Sequence, residues 1–206
     1  MSRWRPEPVL VRVPDGDDPV ALLRARLESL APARGARVVF ALPVSLVRLQ
    51  MVPWNESLYR RADRLAFAQA CLREVYGDLL RDWTACVDEP RHGRPSLACA
   101  MPRELRDNLV ALAEERALKL VSIEPSFARV FNERARGRAS ESMWLAVCES
   151  PAMVLLLVVD GRIERVKVVA APAAQAAAQA AREWFVLGRI GACPAVVVAD
   201  AAAAGA

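Results

Sequence analysis

The chain has 206 residues, 54% of them hydrophobic and 25% charged. That is enough apolar material for one large domain or two small lobes, which excludes disorder as the default state. The formal net charge is +4 and the cations are almost all arginine, with Lys119 and Lys167 the two lysines. The densest basic run, 129–138, is broken by Phe131, Asn132 and Glu133 and makes no nucleic-acid footprint.

In chain order, a short strand is expected over 9–13, closed by Pro14-Asp15-Gly16-Asp17-Asp18. Pro19 opens a helix to Leu30 that places Leu22, Leu23, Leu27 and Leu30 on one face, with Asp18 at its N-cap. Strands follow at 37–42 and 47–52, the second closed by Pro53-Trp54-Asn55. The next helix, 58–76, carries Leu58, Leu65, Phe67, Ala68, Cys71, Leu72 and Val75 at helical spacing and stops at Gly77.

A strand pair at 83–87 and 96–101 is joined by the polar loop 88–95. Pro102 then starts a helix to about residue 117, with Leu105, Leu109, Leu112 and Ala113 on its apolar face. A strand at 118–123, a short helix at 125–132 and a charged, Gly-containing connector complete the first part.

The run 144–169 reads as three strands, 144–148, 153–159 and 162–169. Asp160-Gly161 is a two-residue hairpin signal. The third strand sets Ile163, Val166 and Val168 against Arg162, Glu164, Arg165 and Lys167. A helix over 173–187 and a strand over 194–199 end the pattern. The expected fold class is α/β with mixed sheets, the second half having the order of a ribonuclease H-like lobe. The lobes are placed at 1–134 and 142–206, with 135–141 as connector.

No catalytic or metal constellation stands out. The five cysteines, Cys71, Cys86, Cys99, Cys148 and Cys193, are scattered without a CxxC pair, as in a reduced cytosolic protein. His92, the single histidine, sits in 88–95; a Cys86–His92 nucleophile pair is set aside for an exposed loop residue, since no oxyanion pattern accompanies it. Asp15, Asp17 and Asp18 lack the further Gly and distal Glu of a calcium loop and read as turn and cap residues. Arg60, Arg61 and Arg64 read as a solvated helix face. Trp83, Trp144 and Trp184 read as core, while Trp54 lies in a strand-to-helix loop, where binding residues concentrate. The N-terminus has no continuous apolar region of a secretory signal, and no stretch reaches the ~18 uncharged apolar residues of a membrane span.

An ordered set of short patterns carries a family resemblance: VVFALPVSLVRLQMVPW at 38–54, a long helix ending in VYG at 75–77, RDW at 81–83, SLACAMP at 96–102 and LKLVSIEPSFARVFN at 118–132. Together they resemble the actin-like cytoplasmic proteins of type IV pilus and type II secretion machines, the PilM-type assembly protein and the cytoplasmic domain of the L-type secretion protein. The resemblance covers about 38–169. It implies a two-lobed actin-like fold, ATP between the lobes, and a partner's short cytoplasmic peptide docked in a groove near Arg48, Gln50, Val52 and Trp54.

Three departures bear on the nucleotide. In place of a first D-x-G phosphate loop stands PDGDD, the second aligns with Cys148-Glu149-Ser150, and the adenosine-binding Gly-Gly pattern is missing before Ala206. Without phosphate loops the groups that hold phosphates and Mg²⁺ are lost. The expectation is therefore a short, degenerate member with no cofactor and no catalysis. It would be a scaffold held at the inner membrane by the cytoplasmic segment of a membrane partner, with a homodimer allowed and no nucleic acid bound. The alternative from another class is a nucleotide-binding actin-like ATPase or phosphotransferase.

Overall fold

The computed structural model describes residues 18–135 and 142–201. The strand expected over 9–13, Asp15, Asp17 and connector residues 136–141 lie outside them. The elements are α1 (Pro19–Leu30), β1 (Arg37–Leu42), β2 (Arg48–Val52), α2 (Arg61–Tyr76), β3 (Trp83–Val87), β4 (Ser96–Pro102), α3 (Arg103–Glu115), β5 (Lys119–Pro125), α4 (Ser126–Ala135), β6 (Met143–Glu149), β7 (Ala152–Val159), β8 (Arg162–Val169), α5 (Ala176–Val186) and β9 (Val196–Asp200).

Three sheets result. β1 pairs parallel with β5, β2-β4-β3 is an antiparallel sheet, and β8-β7-β6-β9 is a four-stranded sheet with β9 parallel to β6. The last of these has the ribonuclease H-like order expected from the sequence. The Asp160-Gly161 turn has φ of 51° and 69°, the left-handed pair that a two-residue hairpin matching strand twist requires.

The apolar runs of β6 and β7 are continuous because both faces are covered. Met143, Leu145, Val147, Val154, Leu156 and Val158 enter the main core, while Trp144, Ala146, Met153, Leu155 and Leu157 enter a second core with Ala176 and Ala180 of α5. Burying one such leucine contributes roughly 1.5–3 kcal/mol. The main core also takes Phe40, Leu42, Leu49, Leu109, Leu112 and Phe127, so it is drawn from both sides of the connector.

Three local details sharpen the expected pattern. The register of β7 against β8 shifts at Leu157/Val158, where Val158 faces Ile163 and Leu157 faces Arg165. This bulge at Glu164 re-phases the strand, so that Ile163 and Val166, three apart, both pack on the main core. Lys167 and Arg165 turn instead to Glu183 of α5, at 3.7 and 3.8 Å.

α2 begins at Arg61 rather than residue 58. Asn55 organises a turn first, its side chain accepting from the Ser57 N–H at 2.9 Å. Arg64 then donates to the Tyr59 carbonyl at 2.7 Å and to the Leu58 carbonyl at 3.4 Å, so it is a turn-fastening residue and not part of a solvated face.

α1 is capped by Asp18 as expected, its carboxylate accepting from the Val20 N–H at 2.9 Å. Its leucine face is only partly covered: Leu23 and Leu27 touch the main core, no residue of the helix is buried, and Leu30 is exposed. The ion pairs Arg24–Glu115 and Arg116–Glu28 tie α1 to α3 and its end.

Candidate functional site

Two connections between antiparallel strands concentrate the polar chemistry. The first is the β6–β7 turn at 149–151, where the resemblance places the second phosphate loop. Glu149, half-buried at the end of β6, turns its carboxylate inward. One oxygen accepts from the Val44 backbone N–H at 2.5 Å and the other from the Ser126 hydroxyl at the start of α4. Val44 is buried at the start of a 3₁₀ turn after β1, a place that leaves a backbone donor without an internal partner. The carboxylate thus fills a small cradle of donors supplied by the β1–β2 connection and α4. Burial pushes the Glu149 carboxyl above its ordinary range, against the two hydrogen bonds, which favour the ionised form.

The second is the β3–β4 loop, 88–95, with the β2–α2 loop beside it. Trp54 is half-buried, and its ring meets that of His92 edge to face with centroids 5.3 Å apart. Behind the pair lies a cavity of 30 Å³ lined by Trp54, Leu58, Phe67, Val87 and Asp88, room for about one water. Arg94 bridges outward from the same loop to Glu164 and, at 3.1 Å, to Asp160, clasping the β7–β8 hairpin. Partial desolvation raises the Asp88 carboxyl, opposed by the field of Arg162. His92 is exposed as expected.

The four residues singled out for partner docking are therefore placed unequally. Arg48, Gln50 and Val52 alternate onto the face of the three-stranded sheet that α2 covers. Val52 is buried with Ala68 and Leu72 of α2. The Arg48 guanidinium lies 5.3 Å from the Trp83 ring and 6.0 Å from the Tyr76 ring, and donates to the Val47 carbonyl at 2.8 Å. Trp54 alone stands at an opening. β2 pairs only with β4 among the described residues, so its other backbone edge lies outside the ladder.

Cys86 and His92 do not meet. Cys86 lies opposite Cys99 across the β3–β4 ladder, and His92 lies against Trp54. Among the described residues no group of three or more His, Cys, Asp and Glu is placed to hold a metal ion. No local pattern signals the inward turn of Glu149, or the exposure of Phe185 on α5 and Ile190 after it.

No family model matches the chain, and no curated protein matches its sequence. Among solved structures, it is similar to the cytoplasmic domain of EpsL, an inner membrane component of the type II secretion system of Vibrio cholerae. That match has a TM-score of 0.60 and 16% identity, over 88% of this chain and 67% of that one. It is also similar to a protein of Bacteroides thetaiotaomicron with an actin-like ATPase fold and unknown function, with a TM-score of 0.59 and 7% identity over 90% of this chain and 69% of that one. The chain has an actin-like fold.

A third match is to the PilM–PilN type IV pilus biogenesis complex, with a TM-score of 0.56 and 15% identity over 84% of this chain and 56% of that one. The chain thus spans between just over half and about two thirds of these longer chains. Among the described residues, no helix is long and apolar enough to cross a membrane.

Proposed function

We propose that the chain is a non-catalytic scaffold of a type IV pilus or type II secretion-like inner-membrane platform, binding the cytoplasmic tail of a membrane partner. The observation that carries the non-catalytic half is the β6–β7 turn. The resemblance assigns phosphate binding to this place, and here the Val44 N–H and the Ser126 hydroxyl are already taken by the chain's own carboxylate. A phosphate brought to the turn meets a negative charge and finds those donors occupied. Support for the assembly role is the likeness of fold to EpsL and to the PilM–PilN complex.

The tail docks, in this reading, at Trp54 and along the outer edge of β2. The Leu49 carbonyl on that edge already accepts from the Tyr76 hydroxyl at 2.9 Å, so an added strand takes its main-chain hydrogen bonds from Met51 onward, and the aromatic ring beside it supplies an apolar anchor. Arg48 and Val52 support that edge from within, through Trp83, Tyr76 and α2. The test is a peptide titration against tails of inner-membrane assembly proteins. Trp54→Ala is expected to weaken binding by 2 kcal/mol or more, a roughly thirtyfold rise in Kd. Unchanged affinity removes Trp54 from the docking surface.

A further inference from the structure

The β3–β4 ladder sets Cys86 opposite Cys99. The Asp88 N–H donates to the Leu97 carbonyl at 2.9 Å, and Asp88 and Leu97 stand one register step of two residues beyond Cys86 and Cys99. Alternation along the ladder makes Cys86–Cys99 a hydrogen-bonded pair of the same kind, with Cα atoms roughly 5.5 Å apart. That spacing falls inside the roughly 4.4–6.8 Å Cα range a disulfide spans. The Cβ atoms of a hydrogen-bonded pair, however, stand farther apart than the roughly 3.5–4.5 Å of a relaxed bridge, so a disulfide here is strained and readily reduced. Both side chains project from the sheet face opposite α2. Cys86 is exposed, while Cys99 packs partly against the main core.

We infer that Cys86 and Cys99 form an oxidisable dithiol that closes reversibly to a cross-strand disulfide when the protein meets a peroxide. The other cysteines lie against other cores: Cys71 on α2 packs under the three-stranded sheet, and Cys148 and Cys193 both border the second core. The neighbouring Cys99 thiol lowers the Cys86 thiol below its ordinary value, against desolvation and the charge of Asp88, and Cys86 is the exposed one of the two, so it is the sulfur that reacts first. The partner's own proton is held more tightly for the same reason. Burial raises Cys71, Cys148 and Cys193.

The chemistry is a two-electron oxidation. The Cys86 thiolate attacks one oxygen of hydrogen peroxide, the O–O bond breaks, and hydroxide leaves and is protonated to water. Cys86 is then a sulfenic acid. The Cys99 sulfur attacks the Cys86 sulfur, an S–S bond forms as the S–O bond breaks, and the departing hydroxyl takes the Cys99 proton as a second water. Two thiols are oxidised and one peroxide is reduced to two waters. The disulfide would close the base of the loop that holds His92 against Trp54 and Arg94 against Asp160.

The experiment treats the folded, reduced protein with hydrogen peroxide at neutral pH and maps its peptides without reduction. The expected result is loss of two of the five thiols and a linked pair of peptides carrying Cys86 and Cys99, reversed by dithiothreitol. In Cys99→Ser, Cys86 is expected to accumulate as a sulfenic acid that dimedone traps, and in Cys86→Ser no link forms. Three results overturn the inference: Cys86 unreactive while another cysteine is oxidised, Cys86 oxidised with Cys99 still a free thiol in the wild type, or a link that forms only after denaturation.

Discussion

The β6–β7 turn and the β3–β4 loop both join antiparallel strands, and each is fastened by a charged side chain, but the two side chains point in opposite directions. At the turn, Glu149 points inward and satisfies a buried backbone donor and a hydroxyl. In the loop, Arg94 reaches outward to Asp160 and Glu164 on another hairpin, and His92 leans on Trp54 at an opening. The proposed function rests on that difference: the turn's donors are taken by its own carboxylate, which leaves none for an anion, whereas the loop frames an aromatic ring at an opening, the proposed docking surface.

The sharpest way to break this contrast is Glu149→Ala. It strands the buried Val44 N–H and the Ser126 hydroxyl, and is expected to cost about 1–3 kcal/mol, read as a lowered midpoint in urea unfolding. Arg94→Ala removes two ion pairs at a side chain 43% exposed, and Glu164 keeps Arg189 at 3.7 Å. Its expected cost is about 1 kcal/mol or less, with Trp54 fluorescence altered more than global stability. A loss larger than that of Glu149→Ala reverses the ranking of the two connections.

A smaller effect separates charge from shape at the turn. Because burial raises the Glu149 carboxyl, the folded state binds its proton more readily than the unfolded chain. Its contribution therefore favours the fold at low pH and is lost as pH rises from the unfolded carboxylate range, about 4.3, through the raised folded value. Glu149→Gln keeps an acceptor for Val44 without the charge. Wild type is expected to lose stability relative to Glu149→Gln across that window in melts taken from pH 4 to 7; the opposite slope contradicts the assigned cause.

Where a side chain's partner lies nearby in sequence, or its environment is uniform, the fold was readable. β1, β3 and β8 match their expected bounds because apolar runs and turn residues delimit them. β6 and β7 were visible as strands because a sheet covered on both faces writes an unbroken apolar run. The bulge at Glu164 was not, since it depends on pairing with β7, and only the odd spacing of Ile163 and Val166 hinted at it. Asn55 was read as a strand stop, but its turn displaces the start of α2 by holding Ser57. At the candidate site, Trp54 was legible from its loop. The inward turn of Glu149 joins residues 105 apart in sequence, and the meeting of Cys86 with Cys99 needs the β3–β4 register, so neither is encoded locally.

The proposed scaffold works without nucleotide. Thermal unfolding with and without ATP and Mg²⁺ in large excess is the decisive check, since a ligand at 100 times its Kd adds about 2.7 kcal/mol to the folded state. The expected result is an unchanged melting temperature. A rise of several degrees contradicts it and identifies a nucleotide site that the carboxylate of Glu149 does not close.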